Sequence, residues 1–277
     1  MAALKRIAFV INQDKKGAPE LASYLLGLAA QYGVHTFQIR EHPIPRGALD
    51  GFDACCVIGG DGTLLGVAEE SARSGVPIIG VNRGSLGFLT TFSADEARNS
   101  FKEIIEGRYT IATRSMLECS VSGGAPVLAL NDVVVKEEVN TRLAHLEVYF
   151  GTELVTEYVC DGLIFTTPTG STAYNLSAGG PLIHPSADVV AMTPICPHTL
   201  SNRSIIFTPA SRLRVRNRDA SSRLMAAVDG RVHLQVGARF ELEVSQSNLR
   251  LPLIQREDYC HFAVLRTKLG WSGGFTR

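Results

Sequence analysis

The chain has 277 residues, of which 45% are hydrophobic and 19% charged, a balance typical of a folded protein with a sizeable core. Its 27 basic and 27 acidic residues give a formal net charge of zero, which argues against a nucleic-acid or anionic-membrane partner held by bulk electrostatics. No apolar run reaches the roughly 18 residues of a membrane-spanning helix, and the first residues lack the apolar stretch of a signal peptide. We therefore predict a cytoplasmic protein with no membrane partner.

Strand and helix patterns alternate along the N-terminal part of the chain. Near-continuous apolar runs, typical of strands covered on both faces, occur at residues 6–11, 53–58 and 77–81, and residues 34–39 are predicted as a further strand. A helix is predicted up to Gly33 and a short one from the glycine-rich turn to Gly75, and Ser93 with Glu96 three residues later has the form of a capping box that opens a further helix. This order predicts a doubly wound, Rossmann-like α/β domain whose ligands lie at the carboxyl ends of the strands.

Beyond residue 108 the segments become short and strand-like. Residues 212–216 and 240–244 alternate with period two, as half-buried antiparallel strands do. Asp229-Gly230 between apolar flanks predicts a tight hairpin turn. This part of the chain is therefore predicted to be mostly β, and helical spacing returns only at residues 259–269.

All six cysteines are predicted to be structural. Cys55 and Cys56 are adjacent within an apolar run, and no C-x-x-C pair occurs. This favours buried, reduced thiols over a disulfide framework or a zinc site. The remaining four are Cys119, Cys160, Cys196 and Cys260.

A glycine-rich turn, Gly59-Gly60-Asp61-Gly62-Thr63, lies directly between a buried strand and the start of a helix. Glycines let a phosphate approach main-chain N–H groups, and the helix N-terminus adds partial positive charge. Asp61 at the centre repels an anion, so its presence favours a proton acceptor for an attacking hydroxyl or a metal ligand. Thr63 is placed to cap the helix or to contact phosphate. The alternative is an ordinary strand-to-helix turn in which Asp61 caps the helix.

Three better-known fingerprints are absent from the sequence. The dinucleotide-binding spacing G-x-G-x-x-G would need glycine where Leu65 stands. No Gly-Lys-Ser or Gly-Lys-Thr occurs, which excludes a Walker P-loop. No G-x-S-x-G surrounds Ser171, which argues against a serine hydrolase.

Two further segments combine polar residues with apolar neighbours. Arg83 and Phe88 follow the strand that ends at residue 81, where the first can contact phosphate and the second can line a base pocket. An exposed arginine and a core phenylalanine are the alternative. Asn131 and Asp132 interrupt an apolar stretch and can bind the vicinal hydroxyls of a ribose, or form a turn between two short strands.

The segment from Cys160 to Pro181 is the most unusual, because a short strand is followed by a dense group of hydroxyls and glycines with one aromatic residue, Tyr174. Small residues allow the close approach of a flat ligand, and Tyr174 can stack on a base; a flexible linker has a similar composition. His198 and His233 are each open to a functional or a purely hydrogen-bonding role. No spacing of His, Cys and carboxylates indicates a tightly held metal ion, so no protein ligand to a metal is assigned.

Together these motifs resemble the bacterial NAD kinase family in content and order. The likeness extends from about Arg6 to Trp271, and its most specific part is Thr-Pro-Thr-Gly-Ser-Thr-Ala-Tyr at 167–174. The glycine turn alone is less specific, since diacylglycerol kinases, sphingosine kinases and phosphofructokinases share it in this or a near form. The segments that carry the resemblance are 59–63, 82–89, 131–132, 161–174, 193–198, 229–230 and 268–271.

The resemblance implies an α/β domain of residues 1–108 and 252–277, which includes a returning C-terminal tail, and a β-rich NAD-binding domain of residues 109–251. It implies transfer of the γ-phosphoryl group of ATP, or of polyphosphate in some members, to the 2′-hydroxyl of the adenosine ribose of NAD. Mg²⁺ would accompany the ATP, and Asp61 resembles the general base. The predicted substrate- or nucleotide-binding residues are Gly60, Gly62, Thr63, Phe88, Asn131, Asp132, Asp161, Thr172, Ala173, Tyr174, Ser177 and His233.

Asp161 matches an aspartate that family members present to the dinucleotide across a subunit interface, which implies a homodimer or homotetramer. Two residues depart from the family pattern: Asp132 stands where glutamate is frequent, and Cys160 stands where a small Gly or Ala is usual. Two other hypotheses remain open at this point. One is a lipid kinase of the diacylglycerol or sphingosine type with the same glycine turn, and the other is a non-catalytic dinucleotide-binding regulator.

Overall fold

The computed structural model describes residues 1–83, 87–138, 143–219, 223–236 and 241–271. Two compact units divide the chain: Met1–Thr113 with Leu251–Arg277 form the first, and Arg114–Arg250 form the second. The chain therefore leaves the first unit once, and its C-terminal part returns to it.

The first unit is built on parallel strands with helices on both faces. Its first elements are strands β1 (Arg6–Ile11), β2 (His35–Ile39), β3 (Ala54–Gly59), β4 (Ile78–Asn82) and β5 (Phe92–Ser93), and helices α1 (Ala18–Gln31), α2 (Asp61–Ser74) and α3 (Ala94–Ile105). β1 pairs with β2 and β3, and β4 pairs with β3 and β5, all in parallel. The turns that follow β3 and β4 therefore open at the same edge of the sheet.

Side-chain alternation along β4 decides which helix covers which face. Ile79 packs in one buried cluster with Leu25 of α1 and Phe101 of α3. The next residue, Gly80, faces the other side, where an added Cβ would lie 3.1 Å from Leu64 of α2. Helices thus cover both faces, which is the doubly wound arrangement.

The second unit consists of two antiparallel sheets. Its elements are β6 (Thr110–Val121, whose first four residues belong to the first unit), β7 (Val127–Ala129), β8 (Asp132–Glu137), β9 (Ala144–Phe150), β10 (Glu153–Cys160), β11 (Gly162–Thr166), the helix α4 (Tyr174–Ser177), β12 (Val190–Ile195), β13 (Ile205–Phe207), β14 (Arg212–Asn217), β15 (Leu224–Val228), β16 (Val232–Val236) and β17 (Glu241–Gln255, whose last five residues belong to the first unit). One sheet has the order β13-β12-β11-β8-β15-β16, and the other has β10-β9-β14-β17 with β6 and β7 alongside. The last helix, α5 (His261–Leu269), belongs to the first unit.

The core of the second unit lies between its two sheets. Val133 and Phe165 of one sheet pack in the same buried cluster as Val148 and Val215 of the other. Because strand side chains alternate, Val134, Ile164 and Ala227 face the opposite side of the six-stranded sheet, where they form a second, smaller buried apolar cluster. Within the residues described, no helix has the length and apolar character needed to cross a bilayer.

The structure confirms the predicted fold class: a doubly wound α/β unit, a β-rich unit and a C-terminal segment that rejoins the first. It also confirms the capping box, because Ser93 accepts from the Glu96 N–H while the Glu96 carboxylate accepts from the Ser93 N–H. The Asp229-Gly230 turn joins β15 to β16 as predicted.

The prediction of six buried cysteines is wrong for two of them. All six are free thiols, and Cys196 and Cys260 are exposed. Cys196 directly follows β12 and Cys260 is the N-cap residue of α5, so both lie at the ends of elements and outside the buried strands that hold the other four. Burial raises the pKa of Cys55 to about 12, which keeps this thiol neutral and unreactive.

Candidate active site

Asp61 is the first residue of α2, but its carboxylate does not cap the helix. The N-cap is Gly60, and it has no side-chain capping bond. The carboxylate instead turns to the segment after β4. Oδ1 accepts from the main-chain N–H groups of Leu89 (3.3 Å) and Thr90 (3.0 Å) and from the Thr90 hydroxyl (2.8 Å), and Oδ2 accepts from the Phe88 N–H at 2.9 Å. The interpretation of Asp61 as a helix cap is therefore wrong.

These four bonds decide which oxygen of the Asp61 carboxylate is open to a ligand. A carboxylate offers about four lone-pair positions, two on each oxygen. Three donors occupy Oδ1, whereas Oδ2 has a single donor among the residues described. A hydroxyl that donates its proton to this carboxylate must therefore meet Oδ2.

The glycines around Asp61 leave the main chain of the turn accessible. Gly62 is exposed with nothing within 4 Å of an added Cβ, and Gly60 is half-buried. An added Cβ at Gly59 would lie 2.5 Å from the Thr63 hydroxyl oxygen, so no larger residue fits there. Thr63 itself is buried and accepts a bond of 3.2 Å from Asn12. The prediction that Thr63 caps the helix is wrong, because it lies inside the first turn.

A lysine from the segment after β1 joins the glycine turn. Lys15 Nζ donates to the main-chain oxygen of Gly59 at 2.9 Å and to Asn82 Oδ1 at 3.0 Å. Asn82 Nδ2 donates in turn to the Thr90 hydroxyl at 2.9 Å, and that hydroxyl donates to Asp61. An unbroken row of hydrogen bonds therefore connects the lysine to the carboxylate. We call Lys15, Asp61, Asn82 and Thr90 the glycine-turn cluster.

In the second unit, Asp229 of the β15–β16 turn fixes the main chain between β7 and β8. Its carboxylate accepts the N–H groups of Leu130 (2.8 Å), Asn131 (2.7 Å) and Asp132 (3.1 Å). Asn131 is half-buried and Asp132 is 5% exposed, so both the turn and the ligand-binding interpretations of this pair fit the local geometry. We call Asn131, Asp132 and Asp229 the hairpin cluster.

Both carboxylates of the hairpin cluster bind protons more tightly than usual. Burial, and secondarily the charge of Asp229, raises the pKa of Asp132 from 3.8 to about 7. Burial also raises the pKa of Asp229, although its three N–H donors oppose the change. Asp132 therefore changes charge close to neutral pH.

Strand β11 brings the Thr-Pro-Thr-Gly-Ser segment against Asn131. The Thr166 hydroxyl and the Thr167 N–H both donate to the Asn131 main-chain oxygen, at 3.0 and 2.9 Å. An added Cβ at Gly170 would overlap the Asn131 main chain. The two predicted motifs of this unit are therefore in direct contact.

The segment that carries Tyr174 is ordered by a buried asparagine. Residues 169–172 form one 3-10 turn and Tyr174–Ser177 form α4. Asn175 donates to the main-chain oxygens of Ser171 and Pro181 and accepts from the Thr193 hydroxyl at 2.7 Å. The flexible-linker interpretation is wrong, and Tyr174 is 44% exposed, so its ring is free to meet a ligand.

The remaining predicted residues are distributed over both units. Phe88 is half-buried beside Asp61, and Thr172 and Ala173 are half-buried next to Tyr174. Ser177, Asp161 and His233 are exposed: the first ends α4, the second lies between β10 and β11, and the third lies on β16 opposite Ala227. Across the described ranges, no group of three or more His, Cys, Asp or Glu residues is arranged to hold a metal ion.

Sequence reasoning missed Lys15, Thr90, Asn175 and the anchoring role of Asp229. The anchoring role of Asp229 could have been inferred from its place in a predicted hairpin turn. Aspartate tolerates the observed φ of 50° there and can accept hydrogen bonds from nearby main chain. Lys15 could have been inferred as a site residue because it follows the first strand, at the sheet edge where the glycine turn also opens.

Two family models define the chain as a kinase. Residues 29–109 match the ATP-NAD kinase N-terminal domain, and residues 130–256 match the ATP-NAD kinase C-terminal domain. The chain belongs to the ATP-NAD kinase family.

Curated relatives and solved structures agree with this assignment. The NAD kinase of Pseudomonas fluorescens is 41% identical over 224 residues, which cover 79% of this chain and 76% of that protein, and the Pseudomonas putida enzyme is 40% identical over the same extent. The fold is similar to that of yeast NADH kinase complexed with NADH (TM-score 0.86, 24% identity, covering 99% of this chain and 90% of that one). It is also similar to that of an NAD kinase from Archaeoglobus fulgidus in complex with ATP (TM-score 0.79, 23% identity, covering 97% and 100%).

These findings decide between the hypotheses left open by the sequence. NAD kinase function is supported by both family models and by the curated relatives. The lipid-kinase and regulator hypotheses are not favoured, because the matches extend over both units and not only over the shared glycine turn.

Proposed function

We propose that this chain transfers the γ-phosphoryl group of ATP to the 2′-hydroxyl of the adenosine ribose of NAD, giving NADP and ADP. The observation that carries the chemical part of the proposal is the fixed Asp61 carboxylate at the glycine turn, with Oδ2 open to an incoming hydroxyl. Membership of the ATP-NAD kinase family supports the choice of substrates.

Asp61 acts as the general base in this proposal. Oδ2 accepts the 2′-hydroxyl proton while the ribose oxygen bonds to the γ-phosphorus and the bond from that phosphorus to the leaving oxygen of ADP breaks. Main-chain N–H groups at Gly60 and Gly62 receive phosphate oxygens at the start of α2, whereas the Thr63 N–H holds the turn by donating to the Gly60 main-chain oxygen at 3.0 Å. Phosphoryl transfer depends mainly on such positioning, because little covalent chemistry is left for the protein.

The hairpin cluster and the Tyr174 segment bind the dinucleotide. Asn131 and Asp132 hydrogen-bond ribose hydroxyls, with Asp229 fixing their main chain. Tyr174 stacks on a base and is exposed enough to do so. The other residues proposed to line the adenine and nicotinamide pockets or to contact the nucleotide are Phe88, Asp161, Thr172, Ala173, Ser177 and His233.

Mg²⁺ fits this site as a companion of ATP. Such an ion is held largely by phosphates and water, with few protein ligands. Oδ1 of Asp61 is saturated and the open position on Oδ2 is needed for the hydroxyl, so we assign no protein ligand to the ion. When bound, Mg²⁺ would supply charge neutralisation on the triphosphate.

We further propose a cytoplasmic homodimer or homotetramer. Asp161 is exposed on the turn between β10 and β11, which suits its presentation to a dinucleotide bound by a second copy. A mass measurement in solution by light scattering tests the oligomer, and a monomer at micromolar concentration contradicts it.

The reaction is tested by incubating the chain with NAD, ATP and Mg²⁺ and measuring NADP and ADP. We expect the two products in equal amounts. A folded chain that forms no NADP overturns the proposal. Parallel reactions with NADH, with polyphosphate, and with diacylglycerol in mixed micelles identify the acceptor and the donor. Phosphorylation of the lipid but not of NAD would support the lipid-kinase hypothesis instead.

Replacing Gly87 by alanine should impair the reaction more than the fold. An added Cβ would overlap both Asp61 Oδ1 and the Thr90 hydroxyl, so the carboxylate must move. A displacement of about 1 Å of a catalytic group costs on the order of 100-fold in rate, so we expect kcat to fall by about that factor. Steady-state kinetics and thermal unfolding of Gly87→Ala measure both effects; Gly27→Ala on α1, where an added Cβ meets nothing within 4 Å, is the steric control. An unchanged kcat in Gly87→Ala would contradict the assigned geometry.

NAD binding should strengthen as the pH rises through about 7. The folded protein favours the neutral form of Asp132. This form stabilises the fold fully below pH 3.8, the ordinary pKa, and the stabilisation is lost as the pH rises through the folded-state pKa of about 7. Hydroxyls bond more strongly to the ionised carboxylate than to the neutral one, so kcat/KM for NAD should increase over the same transition. The pH profile of wild type against Asp132→Asn measures this, and the same midpoint in both proteins would contradict the assignment.

A further inference from the structure

Lys15 is held at the carboxyl ends of two adjacent parallel strands. Its ammonium group bonds to the main-chain oxygen of Gly59, the last residue of β3, and to the side chain of Asn82, the last residue of β4. Gly59 and Asn82 are register partners, so one side chain joins the two strand ends. This edge is where ligands bind in sheets of this type.

The ammonium group lies directly beside the glycine turn. An added Cβ at Gly60 would be 3.2 Å from Lys15 Nζ. A lysine carries three N–H donors, and in the described part of the chain Gly59 and Asn82 account for two of them. Both acceptors are neutral, and none of the ion pairs within the described ranges includes Lys15. The site therefore holds an oriented positive charge with one donor to spare.

We propose that Lys15 binds the terminal phosphates of the nucleotide donor with this third N–H and stabilises the transferred phosphoryl group. The assignment rests on the proposed function, since it deepens the account of the same site. A compact ammonium acts as a point charge toward phosphate oxygens, and neutral acceptors orient it without cancelling that charge. Stabilisation of charge that develops in the transition state is commonly worth 100- to 1,000-fold in rate, on the order of one lost oxyanion donor.

A structural role for Lys15 makes a different prediction. If the lysine only joins the segment after β1 to the two strand ends, its loss should lower stability and weaken ATP and NAD kinetics alike. If it binds phosphate, its loss should act on the donor nucleotide and spare NAD. The number of phosphates on the probe then matters, because AMP lacks the terminal groups that Lys15 would contact.

The experiment compares Lys15→Met and Lys15→Gln with the control Lys16→Met, a change at the exposed neighbouring lysine. Glutamine removes the charge but keeps N–H donors for Gly59 and Asn82, so it remains informative if the methionine variant fails to fold. Calorimetry with MgATP and with AMP, in the absence of NAD, measures binding directly. Steady-state kinetics supply kcat/KM for ATP and KM for NAD.

We expect Lys15→Gln to lower kcat/KM for ATP by about 100-fold, to weaken ATP binding at least 10-fold, and to leave AMP binding and KM for NAD within about threefold. Lys16→Met should match wild type in all four. ATP binding within threefold of wild type, or equal losses for AMP and ATP, overturns the proposal. Because calorimetry needs no turnover, a wild-type chain that makes no NADP would refute the proposed reaction while the ATP comparison still decides the role of Lys15.

Discussion

Asp61→Asn should reduce turnover by about 1,000- to 10,000-fold, within the range contributed by a positioned general base. Asparagine cannot accept the hydroxyl proton, because a carboxamide is not basic, and its single oxygen is occupied by the donors that now face Oδ1. Its amide nitrogen then meets the Phe88 N–H, so one hydrogen bond is lost and a donor faces a donor. NADP formation measures the loss, and calorimetry with NAD should show binding largely intact.

Thr90→Val separates the chemistry of Asp61 from its orientation. This variant removes one donor to the carboxylate and the bond from Asn82, but it keeps the carboxylate and the main-chain donors. We expect a fall in kcat of about 10-fold, since positioning weakens while the base remains. If Asp61→Asn keeps a rate comparable with that of Thr90→Val, Asp61 is not the base.

Asp229→Ala should unfold the turn before Asp132 and weaken NAD binding. Three main-chain N–H groups lose a carboxylate acceptor that is itself buried. Hydrogen bonds to a charged group contribute about 1.5–3 kcal/mol each. Water can replace some of the three bonds in the variant, so we expect the free energy of unfolding to fall by about 2–4 kcal/mol. Denaturant unfolding measures the loss, and KM for NAD should rise at least 10-fold because Asn131 and Asp132 lose their orientation.

Asp229→Asn is the matched variant for this test. The residue has a φ of 50°, which asparagine tolerates better than alanine, so the backbone cost is largely absent. Its oxygen can keep the bonds from Asn131 and Asp132 and lose only the one from Leu130, which predicts an intermediate effect. Removing the charge should also lower the pKa of Asp132, since Asp229 contributes to raising it. Equal KM values in wild type and Asp229→Ala would show that this carboxylate does not position the pair.

Features encoded over a few residues were predicted from the sequence. The strands of the first unit, the capping box at Ser93 and the hairpin at Asp229-Gly230 each depend on local spacing, and each was found. The helix predicted at residues 259–269 begins at His261, because Cys260 is its N-cap and has an extended main chain.

Partners distant in sequence could not be predicted in the same way. Lys15 meets Gly59 across 44 positions, Asp61 meets Thr90 across 29, and Asn131 meets Asp229 across 98. Local periodicity contains no information about such pairs, because they form only when strand order brings separate turns to one edge. Asp61 and Thr63 illustrate the result: the turn was located correctly, yet the capping role considered for each was wrong.

The donors around Asp61 amount to a solvation shell made of protein. Water around a free carboxylate must reorient when a proton or a phosphate arrives, and that reorganisation contributes to a reaction barrier. Here the N–H groups of residues 88–90 and the Thr90 hydroxyl already point at the carboxylate, held by main chain that has no comparable freedom to turn. A negatively charged base can therefore stand beside an anionic donor because fixed dipoles already balance part of its charge.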